Sequence, residues 1–220
     1  GYCADRDVLE IGCGTGQGAG LLTDVSKTYV AGDISESVLE LARSHYGERI
    51  DFRKMDALNL EIEESSVDVV LISEAIYYLS DLDRFLVECC RVLRDGGALL
   101  IVTANKDLYD FNASEHSCRY LGVVELGFEL GRYGFEVRCF GDTPVNAVAL
   151  RQRLLRPLKA TASRLGLIPK SMDGKKLLKR FVFGGLEPMP SEITYETARK
   201  QDVAPLDMTT SDRLHKVILC

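Results

Sequence analysis

The chain has 220 residues, 46% of them hydrophobic, and a formal net charge of −6 at neutral pH. That is enough apolar material for one domain around one core, and too acidic a balance for general nucleic-acid binding. No unbroken apolar run exceeds that of 98–102, far too short to cross a bilayer.

Seven cysteines (Cys3, Cys13, Cys89, Cys90, Cys118, Cys139 and Cys220) form an odd set with neither a C-x-x-C pair nor zinc-like spacing. They read as reduced, mostly buried thiols of a cytosolic protein. No signal peptide is visible. Because Gly1 stands almost directly on a strand, the natural N-terminus is expected to lie upstream.

The first element, 8–11, is a short apolar run carrying one acid, Glu10. It breaks into five glycines at alternate positions, Gly12, Gly14, Gly16, Gly18 and Gly20. This is the pattern of a buried strand entering a loop where the backbone must approach a ligand closely. A second strand is expected over 29–33 and a helix over 35–46 with Ser35 as its N-cap. Strands follow at 50–55 and 67–72, the latter a run expected to be buried on both faces. An amphipathic helix over 82–93 presents Phe85, Leu86, Cys89, Val92 and Leu93 on one side. Asp95-Gly96-Gly97 turns the chain into a fifth strand, 98–102. A helix over 120–133 and a sixth strand over 135–140 come next. Strands alternating with helices predict an α/β fold with a doubly wound, mostly parallel sheet, its ligand at the strands' carboxyl ends.

Regularity fails over 143–212, and 215–219 reads as one more strand. The expected organisation is therefore a core at 1–142, a basic helical insert or lid at 143–212 within the same domain, and a last sheet strand at 213–220. Residues 151–180 hold ten lysines and arginines against the single acid Asp173. From 150 to 165, apolar positions fall on one helical face with Pro157 marking a kink, and 175–183 adds a second basic-apolar segment. The plain reading is a solvated helix pair covering the sheet edge. The functional one is a lid over an anionic acceptor, or peripheral contact of 150–183 with an acidic membrane near a lipid-linked substrate.

A glycine loop after a first strand serves dinucleotides and other adenosine ligands alike. Three acids narrow the choice. Asp33 ends the second strand 21 residues after Gly12, where a carboxylate can accept both ribose hydroxyls. Asp56-Ala57 follows the third strand, where a carboxylate and a backbone N–H can meet an adenine. Glu10 lies inside the first strand, an expensive place for a charge unless it meets a cation. A pyrophosphate would repel it, whereas a sulfonium with an ammonium would not.

Glu10-x-Gly12-x-Gly14-x-Gly16, then Asp33, Asp56-Ala57, Val67-Asp68-Val69-Val70 and Arg94-Asp95-Gly96-Gly97 resemble the successive motifs of class I S-adenosylmethionine-dependent methyltransferases. The likeness is to the small-molecule subgroup that includes ubiquinone and menaquinone methyltransferases, and covers about 7–142 plus the last strand. It implies a seven-stranded sheet of order 3-2-1-4-5-7-6 with the last strand antiparallel. It also implies S-adenosyl-L-methionine as cofactor and S-adenosyl-L-homocysteine as product. Gly12, Cys13, Gly14 and Gly16 would pass under methionine and ribose, with Glu10 near the sulfonium end. Asp33 would bind the ribose and Ile34 would pack on the adenine. Asp56 and Ala57 would hold its edge, and Ser73 and Glu74 would face the methyl group. The chain departs from the family in lacking N-terminal cap helices and in its extended insert.

Methyl transfer is an in-line displacement, and a hydroxyl acceptor also needs its proton removed. Glu74, Tyr78 and His116 are the catalytic candidates; Tyr77, Tyr109, Phe111 and Arg119 are candidates to line the acceptor pocket. O-methylation of a small-molecule, lipid or sugar-type acceptor is the expected reaction, with no metal cluster in evidence. Asp68 reads as an edge or capping residue and Cys13 as a space-filler. The alternatives are a catalytically silent cofactor-binding module, another S-adenosyl enzyme such as an aminopropyl transferase, and a nicotinamide oxidoreductase. Against the last, Gln17 occupies the third glycine position of G-x-G-x-x-G, and none of the nine tyrosines has a lysine four residues on. A cytoplasmic, membrane-peripheral location is expected, with no nucleic-acid partner.

Overall fold

The computed structural model describes residues 1–145, 161, 190–198 and 202–220. The basic stretches at 150–165 and 175–183, Thr161 apart, lie outside the described residues. In chain order the elements are β1 (Asp7–Ile11), α1 (Ala19–Val25), β2 (Thr28–Asp33), α2 (Glu36–Tyr46), β3 (Asp51–Lys54), β4 (Val67–Ser73) and α3 (Leu82–Val92). They continue with β5 (Leu93–Ala104), α4 (Val123–Arg132), β6 (Phe140–Pro144), β7 (Ala204–Pro205) and β8 (His215–Leu219).

All these strands join one sheet of order β3-β2-β1-β4-β5-β8-β6-β7. Pairing is parallel from β3 through β5, and β8 runs antiparallel to both β5 and β6. The expected order is thus met, with the two-residue β7 added at the edge. Alternation along the central strands explains the two layers of helices. Val8, Ala31 and Val69 face one way, onto Ala19 of α1 and Leu39, Ala42 and Tyr46 of α2. Leu9, Ile11, Val70 and Ile72 face the other way, into a core with Phe85, Leu86, Cys89 and Val92 of α3 and Leu126 and Leu130 of α4. Every residue of β1 is buried, as expected for a central parallel strand.

Three expectations change. The sixth strand lies at Phe140–Pro144 rather than 135–140, because β8 pairs Leu219 with Phe140 and His215 with Pro144. Phe135, Val137 and Cys139 still alternate into the core, but the chain there stands off from β5 across an open groove of about 850 Å³. That groove contains none of the candidate site residues. The fifth strand starts before its glycine turn: Leu93 pairs with Val67, and the register then shifts so that Ala98 meets Val69. A Cβ on Gly97 would press the carbonyls of Arg94 and Asp68 at 2.9 and 3.0 Å, which is why that bulge takes glycine. Finally, Cys139 and Cys220 form a disulfide and are not free thiols. They flank the Phe140–Leu219 pair, so β-pairing brings together cysteines 81 residues apart.

The chain's return to the sheet is fastened by Asn105, which is fully buried. Its amide donates to the Asp212 carbonyl, the Asp212 carboxylate and the His215 carbonyl, each at 2.9 Å. Among the described residues no helix is long and apolar enough to cross a membrane.

Candidate active site

The loop after β1 takes a shape that only glycine adopts freely. Gly12, Gly14 and Gly16 have φ of +74°, +56° and +73°. A Cβ on Gly12 would come within 2.5 Å of the Ala75 Cβ, so this glycine lets the turns after β1 and β4 meet. Gly16 rests on aromatic rings: a Cβ there would press Phe52 at 2.9 Å, and the Tyr46 hydroxyl donates to the Gly16 carbonyl at 2.7 Å. The Gly12 and Cys13 amides donate to the Gly32 carbonyl at 2.7 and 3.0 Å, tying the loop to β2.

Asp33 at the end of β2 accepts from the Gly14 amide with one carboxylate oxygen and from the Ser35 amide with the other, both at 2.9 Å. Each oxygen keeps a further lone pair for a ligand hydroxyl. Beside it, Ile34 is 64% exposed, an apolar side chain with no core to enter. Asp56 follows β3, its carboxylate accepting from the Leu58 amide at 2.9 Å, with Ala57 buried behind it. Open space surrounds the position a Gly14 Cβ would take. A bare backbone with room above it, a pinned carboxylate and an exposed apolar side chain together fit an adenosine ligand.

Glu10 sits beneath this loop, buried, and accepts a hydrogen bond from the Tyr29 hydroxyl. Desolvation raises its pKa, and the tyrosine bond only partly opposes this. Burial likewise pushes the Cys13 thiol up, with the Glu10 and Asp33 carboxylates adding to the effect. A thiol held protonated fills space rather than attacks.

Ser73 ends β4, and Glu74 follows it in the left-handed region at φ +52°. Its amide donates to the Val102 carbonyl at 2.8 Å, and its carboxylate accepts from the Tyr77 hydroxyl at 3.1 Å. The residue as a whole stays exposed, yet the protein crowding its carboxyl raises the pKa, again by desolvation first. Tyr77 is buried, and its own pKa is raised by burial and by Glu74, so it remains a donor. Its ring lies 4.7 Å from Tyr78 and stacks on Tyr120 at 4.5 Å; Phe111 meets Tyr120 edge-on at 4.8 Å.

The structure therefore brings Glu10, Gly12, Cys13, Gly14, Gly16, Asp33, Ile34, Asp56, Ala57, Ser73 and Glu74 to the carboxyl edge of β1 to β4. Tyr77, Tyr78 and Phe111 join them through the aromatic cluster, and the Cys118 and Arg119 amides donate to the Tyr77 carbonyl at 2.8 and 3.2 Å. The Arg119 guanidinium turns away, to Glu129 at 3.1 Å. Tyr109 and His116 are exposed in the loop after β5. Sequence reasoning missed Tyr29, Tyr46 and Tyr120. Each reads as an ordinary strand or helix residue, and only the packing shows its hydroxyl or ring at the site.

Residues 9–101 match the family described as Methyltransferase domain. A probable S-adenosylmethionine-dependent methyltransferase of Mycolicibacterium smegmatis is 39% identical over 139 residues, covering 61% of this chain and 54% of that protein. A ubiquinone biosynthesis O-methyltransferase of Sinorhizobium medicae is 33% identical over 104 residues, 46% of this chain and 42% of that protein. A solved S-adenosylmethionine-dependent methyltransferase of Thermotoga maritima shares the fold with a TM-score of 0.60 at 20% identity, covering 97% of this chain and 80% of that one. The chain spans about half the length of these sequence relatives, or less. The match to the methyltransferase domain thus spans the stretch that carries the glycine loop, Asp33, Asp56 and Glu74.

Proposed function

We propose that the chain transfers a methyl group to a hydroxyl of a small-molecule acceptor, with Glu74 accepting the proton. The carrying observation is Glu74 itself, a carboxylate beside the glycine loop with a raised pKa and a tyrosine donor. S-adenosylmethionine, when bound, supplies a methyl carbon activated by a sulfonium. Gly12, Gly14 and Gly16 cradle its methionine and ribose, Asp33 accepts the ribose hydroxyls, Ile34 packs on the adenine, and Asp56 and Ala57 hold its edge. Ser73 faces the methyl end. Glu10 supplies negative charge beneath the loop. The acceptor would lie against Tyr77, Tyr78, Phe111 and Tyr109 with its hydroxyl toward Glu74, which would take the proton. The bound donor would supply the methyl group, its carbon–sulfur bond breaking as the oxygen–carbon bond forms and S-adenosylhomocysteine leaving. His116 faces the same acceptor from the loop after β5. The O-methyltransferase name of the Sinorhizobium relative supports an oxygen acceptor.

In this reading the catalytic core is the sheet with its helices, into which β6 and β7 carry the two ends of the 143–212 stretch. The insert at 143–212 meets an anionic or lipid-linked acceptor through its basic 150–183 stretch, at the cytoplasmic membrane surface. Calorimetry with S-adenosylhomocysteine tests the cofactor site, and methyl transfer to a panel of phenolic, sugar and lipid hydroxyls tests the reaction. Absence of binding overturns the reading, as does transfer only to amines. Liposome sedimentation tests the membrane contact: equal, negligible binding with and without anionic lipid removes it.

A further inference from the structure

We infer that Glu192, far outside the methyltransferase-domain match, is a positioning residue for the methyl donor. It would act by clasping the glycine loop from outside; the inference rests on the cofactor cradle proposed above.

Residues 190–198 lie against that loop and the helices behind it. The Ile193 amide donates to the Gln17 carbonyl at 2.7 Å, one residue beyond Gly16. One Glu192 carboxylate oxygen meets Arg49 Nη1 and the other meets His45 Nε2, both at 3.1 Å. Arg49 extends the chain of contacts to Asp24 at 3.4 Å. The Glu192 side chain is only 22% exposed. It reaches in because α1 carries no side chain at Gly20: a Cβ there would overlap Glu192 Oε1. The segment closes on itself, with the Thr197 and Ala198 amides donating to the Thr194 carbonyl at 3.1 and 2.7 Å.

These contacts join three elements that share the cofactor loop: its own backbone at Gln17, α1 at Gly20 and Asp24, and the end of α2 at His45 with Arg49 just beyond. From beneath, Tyr46 already holds the Gly16 carbonyl. Consecutive carbonyls of the loop, those of Gly16 and Gln17, are thus each held by a separate donor. A loop rich in glycine loses much conformational freedom on ordering, so a clasp that orders it beforehand tightens binding without touching the ligand. Glu192 and Gly20 are the two halves of one contact, the acid filling the space that the missing side chain leaves.

Two substitutions break the clasp from opposite sides. Glu192→Ala removes the acid, and Gly20→Ala puts a methyl group where its oxygen sits while improving α1's helix propensity. Each should weaken S-adenosylhomocysteine binding by about threefold to tenfold in calorimetry, because a smaller fraction of the ligand-free loop is then in the binding arrangement. The KM for S-adenosylmethionine should rise alongside, with kcat unchanged. The double variant should be no worse than either single one, and Glu192→Gln, which keeps an acceptor for Arg49, should fall between. Hydrogen exchange of the Gly14, Gly16 and Gln17 amides in the ligand-free protein provides a readout independent of the cofactor. It should be faster in both variants. Unchanged affinity and unchanged exchange in Glu192→Ala overturn the clasp, as does weakening in Gly20→Ala alone. Failure of the unsubstituted chain to bind the cofactor overturns the proposed function instead, and the exchange measurement still decides the clasp.

Discussion

The two ends of the central strands treat their carboxylates in opposite ways. At the amino ends, Asp7 and Asp68 share Arg94 at 2.8 Å each, and Asp7 also meets Lys27 at 3.3 Å and the Thr28 hydroxyl at 2.8 Å. The Arg94 bond, foremost, holds Asp7 below the usual carboxylate range. Asp68 is held down first by the Asp7 amide and then by Arg94. At the carboxyl ends, Glu10 and Glu74 each accept from a tyrosine hydroxyl, and desolvation raises both. Acids that stabilise the fold are matched with cations. The acids at the site are not, which leaves them able to take up a ligand's positive charge or a proton.

Substitutions at the carboxyl end should damage function most. Glu74→Gln should lower kcat by about a hundredfold to ten-thousandfold, the usual worth of a general base, while the KM for S-adenosylmethionine stays near that of the parent. The parent kcat should rise with pH through the elevated Glu74 pKa and then level off. A flat profile, or an active Glu74→Gln enzyme, would transfer the base role elsewhere.

Asp33→Ala comes next. Hydrogen bonds to a charged group contribute about 1.5–3 kcal/mol, so S-adenosylhomocysteine should bind roughly tenfold to a hundredfold more weakly by calorimetry. Part of that loss comes through the Gly14 amide, which Asp33 holds in place.

Thermal scans across pH then contrast the two ends directly. Glu10 has a raised folded pKa, so its contribution to stability is present below the unfolded value of about 4.3 and is lost as pH rises through the folded one. The Tm of Glu10→Gln should therefore gain on the parent by a few degrees, on the order of what one kcal/mol gives, between pH 4 and pH 8. The same variant should bind S-adenosylmethionine less well relative to S-adenosylhomocysteine, which lacks the sulfonium charge.

Arg94→Ala should show the smallest effect and the opposite pH trend. Depressed Asp7 and Asp68 stabilise the protein above an unfolded pKa of about 3.9 and lose that contribution as pH falls through the folded values. The variant's Tm deficit should be full at pH 6 and shrink toward pH 2, with cofactor affinity unchanged. A deficit independent of pH would show that Arg94 acts through packing alone.

Much of this division was legible from the chain. The apolar run with its acid, the alternate glycines, and carboxylates after the second and third strands put Glu10, Gly12, Gly14, Asp33 and Asp56 on one edge. Asp68 as a capping residue was legible too: an acid near the start of an apolar strand seldom enters the core, and here it accepts from the Asp7 amide. Arg119 was not, because a lone arginine in a loop carries no sign of whether it faces a pocket or, as here, Glu129 on α4. The position of β6 was equally hidden: residues 135–140 alternate as well as any strand, and its partner β8 lies some seventy residues away.

Local pattern is written in neighbouring residues, so the sequence by itself determined the alternation of strands and helices, the glycine loop and the acids that follow it. Tertiary structure alone decided which hydroxyl meets which acceptor: Tyr29 with the Glu10 carboxylate, 19 residues apart, and Tyr46 with the Gly16 carbonyl, 30 apart. It also decided that Cys139 meets Cys220 and that Glu192 lies against Gly20. Those pairings depend on register and on the packing of side chains across distant elements, and no periodicity along the chain encodes them.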